Sequence, residues 1–88
     1  MAMNVEERPA PTPEAIAEES RKIRRLRMVV QMALAIIAEG ELPYEEASEL
    51  AMATRRVALQ LFPGKEDAYD LIYRPKFQRL MREVYRLQ

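Results

Sequence analysis

Eighty-eight residues without cysteine, histidine or tryptophan leave little material for chemistry. Disulfides and thiolate metal sites cannot form, and the usual general bases and nucleophiles are missing, so no catalytic activity, cofactor or metal is expected. The formal net charge is zero, yet the charges stand in blocks along the chain.

Residues 1–20 carry five acids against Arg8. The next seven hold Arg21, Lys22, Arg24, Arg25 and Arg27, and an acidic block follows at Glu39, Glu41, Glu45, Glu46 and Glu49. The C-terminal segment is basic again, through Arg74, Lys76, Arg79, Arg82 and Arg86 against Glu83. Blocks of this kind bind partners, or they pair with each other within a fold or across a dimer.

Residues 1–11, with Pro9 and Pro11, read as a flexible tail, and residues 12–88 as one helical domain. Thr12-Pro13-Glu14 starts the first helix. The threonine hydroxyl accepts from free backbone N–H groups, proline at the first helical position loses nothing, and glutamate suits the positive end of the helix. That helix runs from about 13 to 39 and stops at Gly40. Ile16, Ile23, Val30 and Ile37 recur every seven residues along it, with Leu26, Ala33 and Leu34 on the same face. Between 28 and 38 the chain is apolar on every side except Gln31. Such a segment is expected to be surrounded by other helices, from this chain or from a second copy. It is shorter than the roughly 20 residues a membrane span needs, so no membrane is expected as a partner.

Pro43, with Glu45 and Glu46 behind it, opens a second helix over about 43–61. Ala47, Leu50, Ala51, Thr54, Val57, Ala58 and Leu61 form its inward stripe, while Arg55 and Arg56 point outward. Met52 and Leu59 fall outside that stripe and mark a wider buried face or a second contact surface. Phe62-Pro63-Gly64 ends the helix. A third helix over about 65–87 is broken or kinked at Pro75, whose ring clashes with a helical carbonyl four residues back. In its first part Ala68, Leu71 and Ile72 are expected inside, with Tyr69 and Tyr73 flanking them. In its second part Phe77, Leu80, Met81, Val84 and Leu87 form one face, and Lys76, Arg79, Arg82 and Arg86 the other. The neighbours expected around residues 28–38 are Phe62, Leu71, Phe77, Leu80 and Val84.

The fold class is therefore all-α, a three- to four-helix bundle with a long first helix. A core this thin gains most from association. The expected function is a small helical protein–protein interaction module, self-associating as a homodimer or bound to another protein. Its compartment is expected to be the cytoplasm, and no small-molecule substrate is expected. The alternative is a small DNA- or RNA-binding regulator that uses basic helix faces. Either partner would be met by Arg21, Lys22, Arg24, Arg25, Arg27, Arg55, Arg56, Lys76, Arg79, Arg82 and Arg86.

Two segments carry a resemblance. Val29-Val30-Gln31-Met32-Ala33-Leu34-Ala35-Ile36-Ile37-Ala38-Glu39-Gly40-Glu41-Leu42 resembles the first helix of TetR-type transcription regulators. Phe62-Pro63-Gly64-Lys65-Glu66-Asp67 resembles the segment that follows the recognition helix in that family. The resemblance implies that the second helix, around Thr54-Arg55-Arg56, meets DNA. The chain departs from the pattern in three ways. The stretch between the segments is short for two helices and a turn, Met52 stands where the turn glycine would fall, and no ligand-binding domain follows.

Overall fold

A computed structural model describes residues 10–86. Four helices form it: α1 (Pro13–Ala38), α2 (Tyr44–Leu61), α3 (Glu66–Ile72) and α4 (Arg74–Tyr85). The tail expected over residues 1–11 falls almost wholly outside the described residues, as does Leu87 at the expected end of the last helix.

Local chemistry places the boundaries. The Thr12 hydroxyl accepts the Ala15 N–H at 3.0 Å, and Pro13 occupies the first turn of α1. At the other end Gly40 has φ +72° and gives its N–H to the Ile37 carbonyl at 3.0 Å. This left-handed position closes the helix, and it is one that a Cβ makes costly. A Cβ on Gly40 would meet Val84 Cγ1 at 3.5 Å, an ordinary contact, so the strain is in the backbone alone. Gly40→Ala is expected to cost about 1 kcal/mol, read as a lower denaturation midpoint at unchanged slope.

The third helical segment is two helices. Tyr73 stands between them with φ −104° and serves as the C-cap of α3 and the N-cap of α4. Pro75 lies in the first turn of α4, where its missing N–H leaves no bond unmade. It starts a helix rather than kinking one.

α2 returns antiparallel to α1, and α4 then runs back in the direction of α1. Near the turn after α2, Leu59, Phe62 and Tyr73 share a groove with Ile23 and Leu26. At the opposite end the Tyr85 hydroxyl donates to the Leu42 carbonyl at 2.6 Å, and Tyr85 meets Tyr44 edge-on at 5.6 Å. The core lies between these ends. Val30, Ala33, Ile37, Ala47, Phe77 and Met81 are buried in one cluster, with Leu26, Leu34, Leu42, Leu50, Ala51, Tyr73, Leu80 and Tyr85 packed around it. Alanines at 33, 47 and 51 let α1 and α2 approach closely. Thr54 is also buried, and its hydroxyl donates back to the Leu50 carbonyl at 2.8 Å.

Two packing expectations are corrected. Leu71 is 79% exposed and Ile72 52% exposed, while Tyr69 is buried and Tyr73 half-buried. The inward face of α3 is thus the tyrosine face, because the turn at Tyr73 that feeds Pro75 into α4 sets the rotation of so short a helix. Phe62 packs near Ile23 and Leu26 instead of along residues 28–38. The apolar run itself is covered on one side only: Met28, Met32 and Ile36 are 58%, 56% and 40% exposed. Of the three other helices among the described residues, α2 and α4 pack on the Val30–Ile37 side of α1 and α3 does not reach it.

Candidate interaction surfaces

The cations singled out from the sequence separate into three groups. Arg55 and Arg56 on α2 are engaged within the chain. Arg55 donates Nε–H to Asp70 Oδ1 at 2.8 Å and Nη2–H to Oδ2 at 3.0 Å, a two-pronged bond that ties α2 to α3. Arg56 donates to Glu49 at 2.8 Å. Both arginines keep the outward side of α2, Arg56 exposed and Arg55 half-buried, and each is held in an ion pair there. Asp70 could not have been picked out as the partner, since it lies fifteen residues away with no periodic relation to Arg55.

The bond changes the titration of both groups. Hydrogen bonding to Arg55 holds the Asp70 carboxyl below its ordinary value, opposed by partial desolvation. A depressed carboxylate favours the fold above the ordinary aspartate range, about pH 4, and that support is lost as pH falls through the lowered value. Asp70→Asn is therefore expected to flatten the acid limb of a stability–pH curve. An unchanged limb would show that the pair contributes nothing.

The second group is Arg21, Lys22, Arg24, Arg25 and Arg27. Among the described residues none of the five forms an ion pair within the chain. Arg27 is exposed and lines the groove shared with Ile23, Leu26, Leu59, Phe62 and Lys65, about 340 Å³ in volume. Arg21, Arg24 and Arg25 are exposed. The third group lies on α4 and its C-cap, where Arg79, Arg82 and the capping Arg86 are exposed and Lys76 sits 5.9 Å over the Tyr73 ring. The second and third groups approach each other only at the Tyr73 end, where Lys76 lies over the Tyr73 ring and Arg27 lines the same groove as Tyr73. Tyr85, next to Arg86, contacts Leu42 just past the end of α1, whereas Arg25 lies about 20 Å back along that helix. The acidic block pairs with neither of them. Among the described residues its one ion pair is Glu49 with Arg56, on the same helix.

Tyr69 is the polar group that the core accommodates least well. It is 6% exposed, stacks at 5.3 Å on Tyr73, and its hydroxyl finds no hydrogen-bond partner among the described residues. Burial pushes that hydroxyl up to about 12, with Arg55 opposing the shift. Because the folded value lies above the ordinary value of about 10, the contribution is intact below pH 10 and lost as pH rises toward 12. Tyr69→Phe removes a buried hydroxyl with nothing to bond. It is expected to raise stability by about 1 kcal/mol and to lessen the alkaline loss, both measurable by denaturant titration at pH 7 and pH 11.

The TetR resemblance does not extend to the fold. Residues 44–61 form one uninterrupted helix where two helices and a turn would be needed. No helix among the described residues is long and apolar enough to cross a membrane. Comparison with protein-family models, with characterised proteins and with solved structures gave no match in any of the three.

Proposed function

We infer that this chain is a helical protein–protein interaction module that associates with itself and performs no catalysis, with the reducing cytoplasm as its setting. The observation that carries the reading is the exposure of Met28, Met32 and Ile36 on the side of α1 opposite the core. Single exposed apolar side chains are ordinary, but three large ones on one helix face mark a contact surface. The cations of residues 21–27 and the acidic block at 39–49 supply opposite charges for such a contact. Multi-angle light scattering tests it. A particle of twice the 10.3 kDa chain mass is expected, and a monomer across the accessible concentration range overturns the reading.

A second reading has its own observation. Arg21, Lys22, Arg24, Arg25 and Arg27, with Arg79, Arg82 and Arg86, form no ion pairs among the described residues, as phosphate-binding cations would. DNA or RNA binding would then be strongest at low salt and fall steeply as salt rises. Titration into labelled duplex DNA and RNA at two salt concentrations decides it, and no binding at the lower one removes it.

A further inference from the structure

The outer face of α1 is patterned in charge as well as in hydrophobicity. Arg21, Arg25, Met28, Met32, Ala35 and Glu39 are all exposed. They follow one another at spacings of four, three, four, three and four, which keeps them in a single stripe along a helix. Ile36 flanks the stripe and is 40% exposed. Along this stripe the order is basic, apolar, acidic.

That order selects a partner. A copy of the chain laid parallel would set arginine against arginine and glutamate against glutamate. A copy laid antiparallel sets Arg21 opposite Glu39 at both ends and Met28 opposite Met32 in the middle. Two-fold contacts are self-complementary in this sense, each patch meeting its own mirror in order. We propose that a second copy of this chain lies antiparallel along the outer face of α1, with the two-fold axis at the level of Val30. The paired stretch, Arg21 to Glu39, is about 27 Å long. Arg25 then faces Ala35, whose small side chain leaves the guanidinium at the rim. Methionine suits the centre because its flexible thioether fills the space between two helices without a fixed shape. The groove near Phe62 is a poorer self-docking site. Its charged lining is Arg27 and Lys65, both positive, so two copies meeting there would repel.

This arrangement rests on the self-association reading, and the experiment separates the two. The mass of the native chain comes first, followed by Met32→Lys, Arg21→Glu and Glu39→Arg, with Met52→Lys on α2 as a control and circular dichroism to confirm helix content. All four positions are exposed, so the bundle is expected to stay folded. Met32→Lys is expected to give monomer while Met52→Lys leaves the dimer intact. Each charge reversal turns two symmetric attractions into repulsions and is expected to weaken dimerisation roughly tenfold. Mixing the Arg21→Glu and Glu39→Arg chains restores both pairs, so a heterodimer forms from two weakened partners. A monomeric native chain overturns the self-association reading and this face with it. A native dimer that survives Met32→Lys, or a mixture that does not re-form dimer, leaves self-association standing and overturns this face.

Discussion

Ile37→Ala is expected to remove about 3 kcal/mol of stability, the bulk of what a chain of this length holds. Ile37 is fully buried, and it sits where α1, α2 and α4 converge around Ala47, Phe77 and Met81. Deleting most of its side chain loses the transfer free energy of the removed carbons. It also leaves a cavity whose walls collapse only in part, and together the two terms come to about 2–5 kcal/mol for such a change. The neighbours here are helical on three sides and anchored by Gly40 and Tyr85 close by, so little relaxation is available. Small domains hold roughly 5 kcal/mol in total. A urea titration should therefore show a much lower midpoint, with a fraction of the chain already unfolded in buffer. A loss below about 1 kcal/mol would mean that the core is looser than the burial of Ile37 implies.

Phe77→Ala is expected to be at least as damaging, by about 3–5 kcal/mol, for a different reason. Phe77 is 5% exposed and is the first large core residue after Tyr73 and Pro75. With Met81 it joins α4 to the α1–α2 pair. α3 reaches the bundle through Tyr69, Tyr73 and the Arg55–Asp70 bond. Removing the ring should loosen residues 66–86 as a unit before α1 and α2 separate. Amide hydrogen exchange would report this as faster exchange in α3 and α4 than in Val30–Ile37. Uniform loss of protection along the chain would instead show that the four helices melt together.

Punctuation was the legible part of the fold. Thr12-Pro13, Gly40, Pro43, Pro63-Gly64 and Pro75 each act through the backbone of their own turn, so no tertiary knowledge is needed to place a helix end there. The inward stripes of α1, α2 and α4 were legible for a related reason. Val30, Ala33 and Ile37, or Phe77 and Met81, repeat often enough to define a face. α3 has only seven residues, fewer than two full turns' worth of pattern. There the size of Leu71 and Ile72 pointed to the wrong side, while the flanking turns rotate Tyr69 inward. The Arg55–Asp70 bond was hidden because a reversal at Pro63-Gly64 brings the two together, and no local rule reports on that. The apolar run of 28–38 was plain in the sequence. What it could not disclose is that α2 and α4 shield one side of it and leave Met28, Met32 and Ile36 bare. Of the candidate cations, the exposure of the 21–27 group follows from its density, whereas the engagement of Arg55 depends on Asp70, an acid placed by the fold.

The single helix α1 spans two regimes of local stability. From Leu26 to Ile37 every turn is held by side chains of two other helices, so its amides open only when the bundle opens. From Pro13 to Ser20 all residues are exposed, Ile16 among them at 55%, and in the single chain that portion persists only by propagating helix from the packed end. Fraying must therefore start at Thr12 and advance turn by turn toward the arginines at 21–27. Those arginines sit where the helix passes from transient to permanent, which makes the bonds beside them the first within α1 to open to a protease that cuts after basic residues.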